Sequence, residues 1–270
     1  MSSSSDRHCV VEAQFATVLM DSIPVRPHVS VIVPTFREAE NLRTLVPKIQ
    51  DVLRCADVSG EIIIVDDNSG DGTEEIQWAS DIGAPVTLIV RKSERGLSSA
   101  VVEGMRRASG IVFVVMDGDW SHPPEMIPAM VNAIDSGSTD FAIGSRYVEG
   151  GGVDDDWGIL RRINSRVATW LVRPLTTARD PLAGFFAISR DAFANTVGIN
   201  RIGYKIGLEL IVKCDCRRVR EIPIQFLQRR HGESKLGVRQ QLEFLKHVVG
   251  LYCYVLKRWV FRFVAHNGRE

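Results

Sequence analysis

The sequence predicts an α/β fold, a mostly parallel sheet flanked by helices with a long C-terminal helix, and three observations predict it. Short apolar runs rich in β-branched residues alternate with segments whose apolar positions recur at helical spacing. Polar and acidic residues follow those runs directly, as they do where ligands gather at the carboxyl ends of parallel strands. The chain then closes on a stretch, 240–265, that keeps one apolar and aromatic stripe throughout.

The elements come in order from position 29. VSVIVP over 29–34 is the kind of run a sheet buries on both faces. Leu42, Leu45, Val46, Ile49, Val52 and Leu53 predict a helix over 38–53. A strand over 61–65 runs into Asp66-Asp67-Asn68-Ser69-Gly70-Asp71-Gly72, a loop of turn formers. A helix from about 73, a strand over 86–90 and a helix over 98–107 follow. IVFVVM over 111–116 is almost wholly apolar, which predicts a central strand. Ser121-His122-Pro123-Pro124-Glu125 reads as a helix start, with proline in the first turn and an acid near the N-terminus.

Past 145 the alternation loosens. Gly150-Gly151-Gly152 with Asp154-Asp155-Asp156 reads as a mobile loop, 159–175 as helical, and DPLAGFFAI as a turn entering a strand. Cys214 and Cys216 read as two buried thiols on one face of a strand. In the last helix Leu242, Leu245, Val249, Tyr252, Val255, Trp259 and Phe263 form one stripe, with Lys246, Lys257, Arg258 and Arg262 opposite. Such a helix suits a membrane surface or a partner, or packs on its own domain.

Composition narrows the function. At 270 residues the chain can bury a full core, and 33 basic residues balance 33 acidic ones. No net field draws it to nucleic acid, so an anionic ligand must meet local clusters of Arg and Lys. Five cysteines without a CxxC spacing suggest a reducing compartment. Residues 1–28 read as an extension in which 15–20 is too short to span a bilayer. The expected location is the cytosol, with peripheral contact on the cytosolic membrane face left open.

Three polar loops fall at strand ends and so at one site: Thr35-Phe36-Arg37-Glu38, Asp66-Asp67 and Asp117-Gly118-Asp119. Two carboxylates two residues apart converge on a hard cation when a glycine between them lets the backbone turn. An ordinary acidic loop is the competing reading; Asp66-Asp67 could accept hydrogen bonds from a base or a ribose, with a capped turn as the competing reading. No G-x-G-x-x-G opens the first helix and no G-x-x-x-x-G-K-[ST] occurs, which argues against dinucleotide redox chemistry and P-loop phosphoryl transfer. The second half is basic where it is polar: Arg146, Arg161, Arg162, and Arg229-Arg230-His231-Gly232-Glu233-Ser234-Lys235. Guanidinium forks beside an ammonium suit a phosphate ester.

VSVIVPTFREAENL, EIIIVDDNSGDGT, RGLSSAVVEGM, VMDGDWSHPPE, IGSRYVEGG, DPLAGFFAISR, GYKIGLEL and RRHGESKLG, in this order over 29–236, resemble glycosyltransferase family 2, in its dolichol-phosphate (polyprenyl-phosphate) mannosyltransferase group. The resemblance implies a GT-A (Rossmann-like) domain over 29–238, with 239–270 as the C-terminal amphipathic helix. It implies a nucleoside-diphosphate-sugar donor, GDP-mannose first among them, a polyprenyl-phosphate acceptor and Mg²⁺ or Mn²⁺. By position, Pro34, Phe36, Glu38, Val65, Asp67, Asp117 and Gly118 would line the nucleotide-sugar. Asp117 and Asp119 would hold the metal and, with Arg146, carry the catalysis. Arg146, Arg161, Ser165, Arg229, Ser234 and Lys235 would receive the acceptor phosphate. This chain carries Phe36, Gly118, Trp120 and Ala183 where the family often has tyrosine, alanine, a leucine-like residue and serine or threonine.

An inverting hexosyl transfer to a lipid phosphate is the reaction so implied. Rival readings are a family 2 transferase using a hydroxyl acceptor, a D-x-D phosphohydrolase, and an inactive nucleotide-binding subunit. The hydroxyl reading requires a base, commonly an acidic pair where this chain has Asp180-Pro181.

Overall fold

The structure is a computed structural model that describes residues 26–78, 83–153, 159–196, 198–200, 203–227 and 238–267, with 159–163, 238–239 and 261–267 as backbone alone. The expected N-terminal extension lies outside the described residues up to position 25.

The chain enters at β1 (Val29–Thr35), crosses through α1 (Ala39–Cys55) to β2 (Gly60–Asp66), and reaches β3 (Val86–Val90). α2 (Leu97–Arg107) leads back to β4 (Val112–Val115), and α3 (Ile127–Asp135) leads to β5 (Phe141–Ser145). Then come the two-residue β6 (Gly152–Val153), α4 (Ile159–Val172), β7 (Phe186–Ser189), α5 (Arg190–Ala194) and α6 (Ile206–Lys213). β8 (Val219–Pro223), two-residue β9 (Gln225–Phe226) and α7 (Val238–Asn267) complete it. The main sheet has the order β3-β2-β1-β4-β7-β5-β8, in which only β7 runs against the other strands. The most apolar strand, β4, lies at its centre as expected.

Side chains alternate across each strand, so one strand feeds two cores. Val29, Val31, Val33, Ile62 and Ile64 pack under α1 and α3, while Ile32, Ile63 and Val65 pack under α2 and α6. Helices on both faces explain why β1, β2 and β4 read as continuous apolar runs. The strand order turns around β1: β2 and β3 lie to one side, β4 to the other. β1 follows β2 up to Thr35↔Asp66, but its pairing with β4 ends at Ile32↔Val115. A crevice therefore opens between the ends of β1 and β4, at the topological switch point.

Four expectations change. The helix from 73 is a single 3₁₀ turn, Thr73–Glu75, which Gly72 enters at φ 89°. Part of the glycine loop is ordered, because Gly152–Val153 pairs in parallel with Gln225–Phe226; the aspartates at 154–156 lie outside the described residues. Cys214 and Cys216 sit in the turn that ends α6, not on a strand: Cys214 caps that helix, and Asp215 between them takes φ 55°. The fourth concerns α7. Phe244, His247, Val248 and Leu251 face the protein, meeting Val172, Leu182, Leu208 and Val212, whereas Leu242, Leu245, Val249, Val255 and Trp259 stay exposed. The predicted stripe is thus the outer edge of a wider apolar arc, whose other part is buried.

Candidate active site

β4 ends at Val115, Met116 N–H still donates to Ile32 O, and Asp117 is the first residue beyond the ladder. Its N–H donates to His122 Nδ1 at 3.0 Å, and its carboxylate remains partly exposed. Asp119 is buried, and its Oδ1 accepts from Ser121 N–H at 3.0 Å and Ser121 Oγ at 2.6 Å. The turn that carries the two aspartates is made differently from the expectation. Trp120, not Gly118, takes the left-handed conformation, φ 67°, and its indole is locked under α1 with Nε1 donating to Thr44 Oγ1 at 3.1 Å. Gly118 makes a close approach: a Cβ there would stand 3.1 Å from Thr35 Cγ2. The glycine lets the acidic turn lie against the end of β1.

Across the crevice, Pro34 and Val65 are register partners on β1 and β2. Val65's side chain is buried beneath α2, so the strand end gains only its carbonyl, which accepts from Thr35 Oγ1 at 3.5 Å. Phe36 lies beside two guanidinium groups, with Arg37 at 5.3 Å and Arg95 at 5.1 Å from its ring centre. Arg37 takes φ 62°, held by its N–H bond to Ser69 Oγ at 2.7 Å. Glu38 accepts from Asn41 Nδ2 at 2.6 Å at the start of α1.

The acidic pair after β2 is engaged internally. Asp66 accepts from Thr35 Oγ1 at 3.1 Å and from Ser69 N–H at 2.8 Å, as a capped turn requires. Asp67 Oδ1 accepts both Nε and Nη2 of the buried Arg91, and its Oδ2 accepts Gly96 N–H at 2.7 Å. Asp67 thereby fixes the loop that carries Arg95 over Phe36. A cavity of about 430 Å³ beside this turn is lined by Asp66, Gly70, Gly72, Thr73, Glu74 and Glu75.

On the other side of the acidic turn stands Arg146, directly after β5. Its Nε and Nη2 bind the two oxygens of Asp180 at 2.8 and 2.7 Å, and its own N–H adds a third bond to that carboxylate at 3.0 Å. Asp180 is 0% exposed. Glu221 of β8 holds the segment in turn, accepting from Ser145 Oγ at 2.8 Å, Asp180 N–H at 2.9 Å and Arg179 N–H at 2.8 Å. Burial alone would lower the Arg146 pKa, but the Asp180 hydrogen bonds and charge raise it, so the cation is secure. Its guanidinium also lies 5.2 Å from the Tyr147 ring and 5.4 Å from that of Phe226, and Tyr147 Oη bonds Ser165 Oγ at 2.8 Å. Arg161 stands one helical turn before Ser165 on α4, described as backbone alone. Arg229, Ser234 and Lys235 lie outside the described residues.

Phe226 joins the two halves, because its ring also meets His122 edge-on at 5.5 Å. The acidic turn and the buried arginine therefore share one wall. Burial pushes the His122 imidazole pKa down, against the pull of Asp117 and Asp119. The sequence reading does not single out Arg91, Arg95, Asp180 or Glu221 as site residues. Arg91 stands directly after β3, at the same sheet edge as the three loops, and that position was the available signal.

Two carboxylates in one turn form a small donor set, and among the described residues no group of three His, Cys, Asp or Glu gathers to hold an ion. A hard cation held by Asp117 and Asp119 would complete its shell with phosphate oxygens and water, the habit of Mg²⁺ and Mn²⁺. The residues fit a metal brought together with a diphosphate rather than a closed protein cage.

A family profile described as Glycosyl transferase family 2 matches residues 30–196. The dolichol-phosphate mannosyltransferase of Mycosarcoma maydis is 44% identical over 234 residues, covering 84% of this chain and 79% of its own. The protein of that name from Pyrococcus furiosus is 43% identical over 86% of this chain, which spans 64% of its length. The one from Saccharomyces cerevisiae is 38% identical over 88% of this chain and 89% of its own. Among solved structures, glucosyl-3-phosphoglycerate synthase from Mycobacterium tuberculosis, in complex with Mn²⁺, UDP-glucose and phosphoglyceric acid, superposes with a TM-score of 0.59 at 18% identity. That superposition covers 84% of this chain and 78% of the synthase, and it is a likeness of fold.

Proposed function

The chain belongs to glycosyl transferase family 2 and is a glycosyltransferase of GT-A fold, and from that premise we propose that it moves a hexose, mannose first, from a nucleoside-diphosphate-sugar to a polyprenyl phosphate. One observation carries the reading: Asp117-Gly118-Asp119 and the Asp180-bound Arg146 face each other across Phe226 and His122. A transfer between two anions needs this division, with a cation site for the donor diphosphate and fixed positive charge for the acceptor. The names of the relatives support the lipid phosphate and mannose.

In this mechanism Asp117 and Asp119 would hold Mg²⁺ or Mn²⁺, and the ion would supply positive charge to offset the negative charge developing on the departing nucleoside diphosphate. Phe36, Arg37 and Arg95 flank the donor, and Asp67 acts by fixing the Arg91–Gly96 loop. The acid-lined cavity at Asp66, Glu74 and Glu75 suits a base edge rich in donors, as guanine has. Arg146, Arg161, Ser165, Arg229, Ser234 and Lys235 receive the acceptor phosphate. Its second pKa is about 6, so its oxygen attacks as an anion without a strong base, and in-line attack inverts the anomeric carbon. The state of Asp180 favours this acceptor over a hydroxyl. The acid that would serve as base has both oxygens bound to Arg146.

The apolar surface of α7 supports a peripheral site of action on a membrane. Trp259, 63% exposed, and Trp170 of α4, 74% exposed, belong to helices joined by the bond from Tyr252 Oη to Leu171 O at 2.8 Å. No helix among the described residues is long and apolar enough to cross a membrane.

Purified protein given polyprenyl phosphate and Mn²⁺ with GDP-mannose, GDP-glucose, UDP-glucose or UDP-N-acetylglucosamine tests the reading directly. GDP release coupled to a mannosyl lipid is expected. Release of inorganic phosphate without a nucleotide-sugar, or transfer only to hydroxyl acceptors, would refute it.

A further inference from the structure

Asp117 lies two residues beyond Val115, where the β1–β4 register ends. Its backbone is bonded within its own turn: Asp117 N–H donates to His122 Nδ1 at 3.0 Å. A nitrogen that accepts a hydrogen bond carries no proton, which leaves the proton of a neutral ring on Nε2. That nitrogen stands 3.9 Å from Asp117 Oδ2. The ring has little freedom to leave this arrangement. It is 2% exposed, stacked on Phe185 at 5.2 Å and 17°, and met edge-on by Phe226 at 5.5 Å and 70°. Gly184 closes the remaining side. A Cβ there would stand 3.3 Å from His122 Cε1 and 3.4 Å from Asp117 Oδ1, so the glycine lets the imidazole and the carboxylate share one backbone wall.

We propose that His122 is a positioning residue for the donor cation: its Nδ1 anchors the Asp117 backbone, and the Phe185–Phe226 stack holds the imidazole so that Asp117 is presented in one orientation. Ser121 holds the neighbouring Asp119 at its side chain, through two bonds to Oδ1. Two consecutive residues beyond the pair thus hold it, His122 at the Asp117 backbone and Ser121 at the Asp119 carboxylate. Buried partners that orient a ligating group raise metal affinity by about 10–100-fold. This rests on the metal reading of Asp117 and Asp119 given above.

Two substitutions separate the acceptor from the ring. His122→Phe keeps an aromatic ring for the stack and loses Nδ1. His122→Asn places an oxygen where Nδ1 was and loses the stack. Free Mn²⁺ is read by electron paramagnetic resonance during titration of the full chain in the presence of GDP, with thermal melting in parallel. His122→Phe is expected to bind Mn²⁺ at least about 10-fold more weakly with a small change in melting. His122→Asn is expected to melt lower and to bind Mn²⁺ within about 3-fold of the unaltered protein, because the anchoring acceptor is kept. Equal affinity in His122→Phe and the unaltered protein overturns the proposal, as does an equal loss in both variants. If either variant does not fold, ¹⁵N shifts of His122 in the unaltered protein decide: a protonated Nδ1 overturns it, and a bare Nδ1 with Nε2–H supports it. Failure of the unaltered protein to bind Mn²⁺ with GDP would instead remove the metal reading itself.

Discussion

Two charged residues of the site, Asp119 and Arg146, are each held in place by partners within the protein. Asp119 accepts two bonds from Ser121 at one oxygen, and Arg146 is clamped by Asp180 through both of its own. Groups held in this way can meet a developing charge without reorganising, which is what the proposed transfer would ask of them. Asp119→Ala should reduce transfer by at least about 10²–10³-fold at saturating Mn²⁺. Full activity under that condition would sink the metal assignment. Arg146→Lys keeps the charge but cannot reproduce a two-pronged bond to Asp180. We expect the KM for polyprenyl phosphate to rise about 10-fold and the KM for the nucleotide-sugar to stay, measured by steady-state kinetics in each substrate. A rise in the donor KM alone would place Arg146 on the other side of the reaction.

At the scale of elements, α7 is fastened to the domain by a buried hydrogen bond to a carboxylate as well as by apolar packing. Glu209 of α6 accepts from His247 Nε2 of α7 at 2.8 Å, from Lys213 Nζ at 2.7 Å and from Asn200 N–H at 2.6 Å. Burial would raise the Glu209 pKa, but these hydrogen bonds outweigh it and hold the carboxyl below its usual range. A carboxyl depressed on folding contributes stability above its unfolded value of about 4.3, and that contribution fades as pH falls through the folded value. The melting difference between the unaltered protein and Glu209→Gln should therefore be largest near neutrality and shrink below about pH 4. A constant difference across that range would show that the carboxylate's charge is not what fastens the helix. Most elements were readable because each depends on its own periodicity. The helix expected from 73 was not, because Asp71 takes Thr73 Oγ1 at 2.7 Å and Ala39 N–H at 3.0 Å, binding that segment into the loop beside α1.

At the scale of the whole molecule, the sheet order brings together loops far apart in the chain. The turn after β4, the loop after β1 and the residue after β5 meet because β1 and β4 diverge at the switch point and β7 inserts between β4 and β5. On the outside, α4 and α7 present Val167, Trp170, Val249, Leu256 and Trp259 to solvent. Burying one such side chain is worth about 1.5–3 kcal/mol, roughly a 10- to 100-fold change in partition. The paired change Leu256→Ser and Trp259→Ser should therefore weaken binding to anionic phospholipid vesicles at least about 10-fold in a co-sedimentation assay, with transfer to a short water-soluble prenyl phosphate retained. Unchanged sedimentation would refute a membrane role for these two side chains.

The sequence by itself determined the layered α/β class, the central place of β4, the acidic turn Asp117-Gly118-Asp119 and the division into an acidic first half and a basic second half. These are carried by local apolar periodicity and by residue chemistry, which need no knowledge of what packs against what. Only the tertiary structure decided who holds whom. Arg146 and Asp180 are 34 positions apart, Asp67 and Arg91 are 24, and Glu209 and His247 are 38, and no local pattern joins such pairs. It also gave the left-handed turn to Trp120, because burial under α1 outweighs the local cost of that conformation, and left Gly118 to let the acidic turn reach β1. On α7 it chose which part of one apolar arc is core. Periodicity shows how wide an apolar surface is, but only the shape of the neighbouring helices decides how much of it they cover.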